Sequence, residues 1–336
     1  MKVLKAFDGD SLLITFGEGE NIKNILIDGG IPRTYYQTLK KELLDIKGQF
    51  IDLLIVTHID NDHIGGILSL FKDNSMDKSF IKKVWFNSQE ALSRELKVEI
   101  PNSKGVELGV DSEQTKMSLR QARTLEEKLD SYSCWEQVLV CRNEDFVNYS
   151  IGESRITVLS PRIQKINKWI EEEETNKMAG CEKDYKYPLK VLAENKFKED
   201  DQSHNKSSIS IIIEYKGKKI LLLADSHPSD IVQSLRELGY DEQKKLVVDY
   251  VKVSHHGSKK NTSDELLKLI GCKNYIFTTN GSKHCLPNKE SMARIVKNCD
   301  GDVDFFFNYP IFENIFLKEE QEDYRIRCWH KNILEV

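Results

Sequence analysis

The sequence predicts one sheet-rich α/β domain over residues 1–336, interrupted by two inserted segments. Three observations carry this reading. The first ninety residues alternate short apolar runs of β type with turn signals, two later stretches lose that pattern, and from Ser207 onward strand and helix patterns alternate.

The elements follow in order. MKVLKAF, SLLITF after Asp8-Gly9-Asp10, NILIDGG, LLIVTH and KKVWFN read as strands, with one helix around Tyr35 to Ile46 among them. Residues 88–150 form the first insertion. Within it Met117, Leu119, Ala122, Leu125 and Leu129 recur near helical spacing, which predicts an amphipathic helix with these residues on its core face. ITVLSPR returns to a strand. Residues 163–205, charged and weakly patterned around Glu171 to Glu174, form a second insertion at the surface, of the kind that makes a lid. SISIIIEY, KKILLLAD, a helix over Ser229 to Leu238, VVDYVKVSHHG, a helix after Thr262-Ser263, KNYIFTTNG, a helix after Pro287 and DVDFFFN complete the pattern.

Composition narrows the function. Lys+Arg 49 against Asp+Glu 54 gives a net charge of -5, so no global positive field draws the chain to nucleic acid or to an anionic membrane. A phosphate-bearing substrate then needs a metal or a local basic patch, and Lys252, Lys259, Lys260 and Lys283 are expected to supply one. No apolar stretch approaches the ~20 residues of a membrane span and no apolar leader opens the chain, so a cytoplasmic protein without a membrane partner is expected. Seven scattered Cys with no CxxC pair point to reduced thiols rather than a disulfide framework or a thiolate zinc site.

Chemistry-bearing residues collect at the ends of the strands. Asp28 ends NILIDGG, His58 to His63 follow LLIVT, His204 precedes SISIIIEY, Asp225 ends KKILLLAD with His227 beside it, and His255-His256 end VDYVKVS, with His284 in a nearby loop. Acids and imidazoles meeting on a rigid scaffold are what a metal site requires. In the spacing His58-x-Asp60-x-Asp62-His63, the first two residues can face one ion while Asp62 and His63 face another, and a further carboxylate such as Asp225 can bridge them. Mixed imidazole and carboxylate donors suit Zn²⁺, Mn²⁺ or Fe. Two such ions activate a bound water.

THIDNDHIGG resembles the HxHxDH signature of the metallo-β-lactamase-fold hydrolases, with the second His replaced by Asp60. The ordered set DGDSLLI, ILIDGG, HIDNDHIGG, ITVLSP, NKSSISI, LLLAD, VKVSHHGS and TTNGSKHCLP resembles, over about residues 3–297, the soluble domain of ComEC-type DNA-uptake proteins and its free-standing relatives. That resemblance implies an αββα four-layer sandwich with two divalent ions, Zn²⁺ or Mn²⁺, at one edge. His58, Asp60 and His204 would hold one ion, Asp62, His63 and His255 the other, with Asp225 between them and Asp28, Asp10 and His227 in support.

The resemblance also implies hydrolysis of a phosphodiester, in nucleic acid or a nucleotide, by a metal-bridging hydroxide. Asp62 belongs to the expected catalytic set; His256 or His284 would protonate the leaving oxygen, and Ser258 or Lys259, with Ser208, would contact the substrate. Asp8 is an added carboxylate, HCLP stands where relatives often place His directly before Pro, and the ComEC membrane channel is lacking, so DNA transport does not transfer. The alternatives are hydrolysis of an ester, lactone or amide, a docking subunit of a larger assembly such as a defence complex, and redox chemistry at a di-iron site. No flavin-domain sequence supports the last.

Overall fold

Several strands are apolar on both faces, and each face enters a different core. Leu12 and Ile14, Ile25 and Ile27, and Leu53 and Ile55 belong to one buried cluster, whereas Leu13, Leu26 and Leu54, which alternate with them, belong to another. The same division separates Ile211 and Ile213 from Ile212, and Ile220 and Leu222 from Leu221. Side chains alternate across a strand, so a strand buried on both faces lies in an inner layer.

The computed structural model describes residues 1–88, 91–92, 94, 113–163, 181–200 and 204–336, without the side chains of 113–116, 204 and 206. Its strands are β1 (Lys2–Val3), β2 (Leu12–Phe16), β3 (Lys23–Ile27), β4 (Leu53–Val56), β5 (Val84–Phe86), β6 (Tyr149–Ile151), β7 (Ser154–Ser160), β8 (Ser210–Tyr215), β9 (Lys218–Leu222), β10 (Leu246–Val247), β11 (Tyr250–Lys252), β12 (Ile270–Gly271), β13 (Asn274–Phe277), β14 (Val303–Phe307) and β15 (Ile326–His330). Among the described residues, β1 to β5 form one sheet in sequence order. A second sheet runs β15-β14-β13-β11-β9-β8-β7-β6, and β10 pairs with β12 apart from both. Strands β3, β4 and β5 are parallel, as are β9, β11, β13, β14 and β15, so their C-terminal ends gather at common edges.

The two sheets share the central cluster, in which Ile25, Ile55 and Trp85 of the first meet Ile211, Leu222 and Phe306 of the second. Helices cover the outer faces. On the first sheet Tyr35, Leu39, Ile64, Ile67, Phe71, Ala122, Leu125 and Leu129 pack over Leu26, Leu54 and Phe86. On the second, Ile231, Leu235, Leu266, Met292 and Ile295 pack over Leu221, Val251 and Phe277. Four layers result, as the fold resemblance implies. No described helix is long and apolar enough to cross a membrane.

Three local readings change. The motif THIDNDHIGG does not stay a loop: helix Asn61–Lys72 begins inside it, with Asp60 at its N-cap position and Asp62 in its first turn. In helix Glu113–Leu129, Ala122, Leu125 and Leu129 are buried as expected, but Met117 is 44% exposed. Cys181 and Cys285, expected as reduced thiols, are paired in a disulfide. That bond ties the described end of the second insertion to the loop carrying His284. Asp184 reinforces the tie by accepting from the backbone N–H groups of Lys289 and Glu290, at 2.8 and 2.9 Å, at the start of helix Lys289–Asn298.

The glycines of the motif have a steric reason. Gly66 N donates to Gly30 O at 2.7 Å and Gly29 N to His63 O at 2.9 Å, so helix and loop touch backbone to backbone. A Cβ on Gly66 would lie 1.9 Å from Gly29 O. Gly66→Ala is therefore expected to cost about 3 kcal/mol through overpacking, measured by denaturant unfolding against an exposed-site Gly→Ala control; an unchanged midpoint would refute the close approach.

Candidate metal centre

Strand ends bring the two halves of the site together. Asp28 follows β3, His58 follows β4, Asp225 follows β9, and His255 and His256 follow β11. Asp28, Ala224, His255, His256 and His284 all have φ between 44° and 57°, a region that L residues adopt at a cost. Such backbone persists only when its surroundings over-determine it, and here it turns the exits of β3, β9 and β11 and the loop of His284 toward one edge.

Each imidazole is fixed through Nδ1. Thr57 Oγ1 donates to Asp28 Oδ2 at 2.6 Å, so its lone pair accepts the Nδ1–H of His58 at 3.1 Å. His63 Nδ1 donates to Asp28 Oδ2 at 2.8 Å, and Thr57 N donates to Asp28 Oδ1 at 2.8 Å. His256 Nδ1 donates to the carbonyl of Thr278 at 2.7 Å. A carbonyl can only accept, so that ring carries a proton on Nδ1 and leaves Nε2 to face the donor cluster. His255 Nδ1 lies 3.4 Å from Asp200 Oδ2, which Asn205 and Asn261 also contact.

The four Nε2 atoms converge on Asp225. His58 is 3.8 Å from Oδ2, His63 3.5 Å from Oδ1, His255 3.7 Å and His256 3.9 Å from Oδ2. Asp60 Oδ2 approaches His58 Nε2 at 3.8 Å, and Asp62 Oδ2 lies 3.9 Å from His63 Nε2 and 3.3 Å from His256 Nε2. The Nε2 atoms of His58, His63 and His256, and Asp225 Oδ1, are buried with no hydrogen-bond partner among the described residues. Leaving four polar atoms so would cost several kcal/mol. A metal ion resolves the cost: with ligand bonds of about 2.0–2.2 Å, two donors on one ion stand roughly 3–4 Å apart. Among the described residues the donors group as His58, His63 and Asp225, as Asp62, His63 and His256, and, further in, as Asp10, Asp28 and His63.

Electrostatics agree. Burial works against the charged form of His63, but Asp225, Asp28 and Asp62 together raise it well above its ordinary value. For His256 burial again opposes, and Asp10 and Asp225 raise it to about 10. His58 is lowered by burial and by His63. Asp225 and Asp62 are held far below the usual carboxylate range: burial opposes, and the surrounding imidazoles prevail.

The remaining expected residues fall in varied places. His256, expected to act on the substrate, points its Nε2 into the donor cluster instead. His204 opens the short turn His204–Ser207, but its side chain lies outside the described residues. His227 is buried at the N-cap position of helix Pro228–Glu237, and its charge bears on Asp200. Ser208 is fully buried in the interior, which removes it from contact with a substrate. Ser258 is 6% exposed and accepts from Lys260 N, and Lys259 lies 3.5 Å from Glu290. His284 is exposed at the rim, and burial and the charge of His255 lower it, so its ring is neutral at neutral pH. Of the expected basic patch, Lys252 is buried against Asp10, and Lys283 pairs with Asp8 at 2.7 Å.

Thr57, Asp200, Asn261 and Thr278 escaped the sequence reading. Thr57 alone had a signal, its place directly before His58; Asp200 sits in an ordinary charged run, and Thr278 acts through its backbone carbonyl.

A four-layer fold with an imidazole and carboxylate cluster between its two sheets defines a candidate metal centre. The family model "Metallo-beta-lactamase superfamily" matches residues 4–78, the stretch that holds Asp10, Asp28 and His58 to His63. Over that stretch the chain is similar to this superfamily. No curated protein matches the sequence. Similar solved structures include the metallo-β-lactamase-fold protein YhfI of Bacillus subtilis, with 10% identity, 99% of this chain and 97% of that chain covered and a TM-score of 0.40. Zn²⁺-bound PqqB of Methylobacterium extorquens has 11% identity, 98% and 88% coverage and a TM-score of 0.42. A metallo-β-lactamase HARLDQ motif mutant of Cronobacter sakazakii has 15% identity, 73% and 70% coverage and a TM-score of 0.34.

Protons and metal compete for these rings. In the metal-free protein His63 and His256 are cationic at neutral pH, so metal uptake must release protons and affinity must rise with pH toward about 10. Stability without metal runs the other way. A raised imidazole stabilises fully below its unfolded value of about 6.5, and that contribution fades as pH climbs to the folded value of about 10. Calorimetric titration of Mn²⁺ in buffers of different ionisation enthalpy is expected to report proton release; affinity independent of pH would contradict the cationic rings.

Proposed function

We propose that this chain is a hydrolase that uses two divalent ions, Zn²⁺ or Mn²⁺, to cleave a phosphodiester in nucleic acid or a nucleotide. The observation that supports the metal centre is the convergence of partnerless, buried Nε2 atoms of His58, His63 and His256 around Asp225. In this reading His58, Asp60 and His255 would hold one ion and Asp62, His63 and His256 the other, with Asp225 within reach of both groups. The ions, when bound, supply a hydroxide nucleophile at neutral pH and neutralise charge on the substrate oxygens.

The chain's own residues do the rest. Asp28 and Thr57 hold the tautomers of His58 and His63, and Thr278 holds that of His256, so no ring must reorient during turnover. Neutral His284 at the rim suits donation of an N–H hydrogen bond to a substrate oxygen, or acceptance of a proton, better than action as an imidazolium acid. The phosphodiester assignment rests on the ordered motif resemblance, and Asp60, a carboxylate in place of an imidazole, favours a hard ion such as Mn²⁺.

A panel of a phosphodiester chromogen, an ester and a lactone tests the substrate class, with preference for the phosphodiester expected. Asp62→Ala or His63→Ala should lower the rate by more than about a hundredfold, beyond what loss of an outer support costs, and reduce bound metal on elemental analysis. Full activity in Asp62→Ala would sink the mechanism. Asp60→His should keep metal binding and shift preference toward zinc in competition titrations; an unmoved preference would show that Asp60 is no ligand.

A further inference from the structure

Lys252 is the last residue of β11 and 1% exposed, and its ammonium pairs with the carboxylate of Asp10, itself 1% exposed. The pair crosses between the sheets: Lys252 comes from the second, and Asp10 from the turn ahead of β2 in the first. Beside it lies a cavity of about 10 Å³ lined by aliphatic Leu12, Ile27, Ile211 and Leu222 and by polar Asp28 and Thr57. A buried lysine carries a heavy desolvation cost unless its charge is matched. Retaining one here, where the hydrophobic floor would accept Met or Leu, calls for a reason beyond packing.

Asp10 supplies that reason through its other contacts. Its Oδ1 lies 3.3 Å from His256 Nδ1, the nitrogen whose proton goes to Thr278 O. Its backbone N–H donates to the carbonyl of Asp62 at 3.1 Å, and its carbonyl accepts from Gly30 N, two residues past Asp28, at 2.7 Å. Gly9 makes this approach feasible, since a Cβ there would lie 1.9 Å from Asp62 O. One residue therefore touches both Asp62, which arrives from the first half of the chain, and His256, which arrives from the second.

We propose that Lys252 is a positioning residue for one of the two metal sites: by anchoring Asp10 it sets the separation of Asp62 and His256, and so the affinity of the ion that these two ligands share with His63. The inference rests on the metal-centre reading above. It assigns Lys252 to the support of the ligands rather than to the substrate groove, and it makes the two ions unequal in their dependence on it. Without the ammonium, Asp10 is a buried carboxylate with its charge unmatched, and it relaxes by moving from its present contacts. That movement alters what His256 Nδ1 and the Asp62 backbone rest against.

The test is Mn²⁺ and Zn²⁺ binding, followed by calorimetry and by elemental analysis after gel filtration, on the wild type and on Lys252→Met and Asp10→Asn. Lys252→Met keeps length and volume, and Asp10→Asn keeps shape while removing the charge. Each variant is expected to bind one ion at wild-type affinity and the other about 10–100-fold more weakly, the range for lost outer support of a ligand. The Co²⁺-substituted variants should likewise lose the absorption of one site and retain that of the other. A merely structural role predicts a lower melting temperature with both affinities intact, measured well below that temperature, and this result would overturn the proposal, as would equal weakening of both ions. Should Lys252→Met not fold, Asp10→Asn alone decides between the same outcomes. A wild type that takes up no ion would bring down the metal-centre reading itself, a failure visible before any variant is compared.

Discussion

The carboxylate of Asp225 lies within 3.9 Å of four imidazole nitrogens, two from the exit of β4 and two from the exit of β11. That encounter joins the molecule's two sheets where they open to solvent. Asp225 is 2% exposed, and Asp10, Asp28 and His63 are also buried nearby, so the centre concentrates charge in a place where charge is costly. Metal-free, the cost is offset by protons on His63 and His256. A metal held there would take over that task, so folding and metal binding would be linked at the same atoms.

Everything behind the centre serves to keep the rings from turning. The first half uses one carboxylate, Asp28, which binds the Thr57 hydroxyl, the Thr57 N–H and the His63 ring. The second half uses a different device for each ring: a backbone carbonyl for His256 and the Asp200 carboxylate for His255. Rigid elements carry the halves, since the central core interleaves aliphatic residues of both sheets. Movement of one half against the other would have to break that core.

The approach to the centre is less positive than a simple count of lysines suggests. Lys252 is inside, Lys283 is matched by Asp8, and Lys259 lies near Glu290. The loop that carries His284 is also tethered, through the Cys181–Cys285 disulfide, to the described end of the second insertion.

Much of the layout was legible in the sequence. Apolar runs such as LLIV and SIII, bounded by Asp, Gly and His, announce strands buried on both faces whose exits carry chemistry, and the order Asp28, His58 to His63, Asp225, His255-His256 is a property of the chain itself. Helix Asn61–Lys72 was hidden because two consecutive glycines, needed for contact with the Asp28 loop, weaken its helical signal. The roles within the site were decided by tertiary structure alone. Whether His255 or His256 faces Asp62, whether Lys252 meets substrate or Asp10, and which carbonyl sets a tautomer all depend on strand exits far apart in the chain. Sequence records which groups are available, but local spacing carries no information about the through-space distances that fix what each one does.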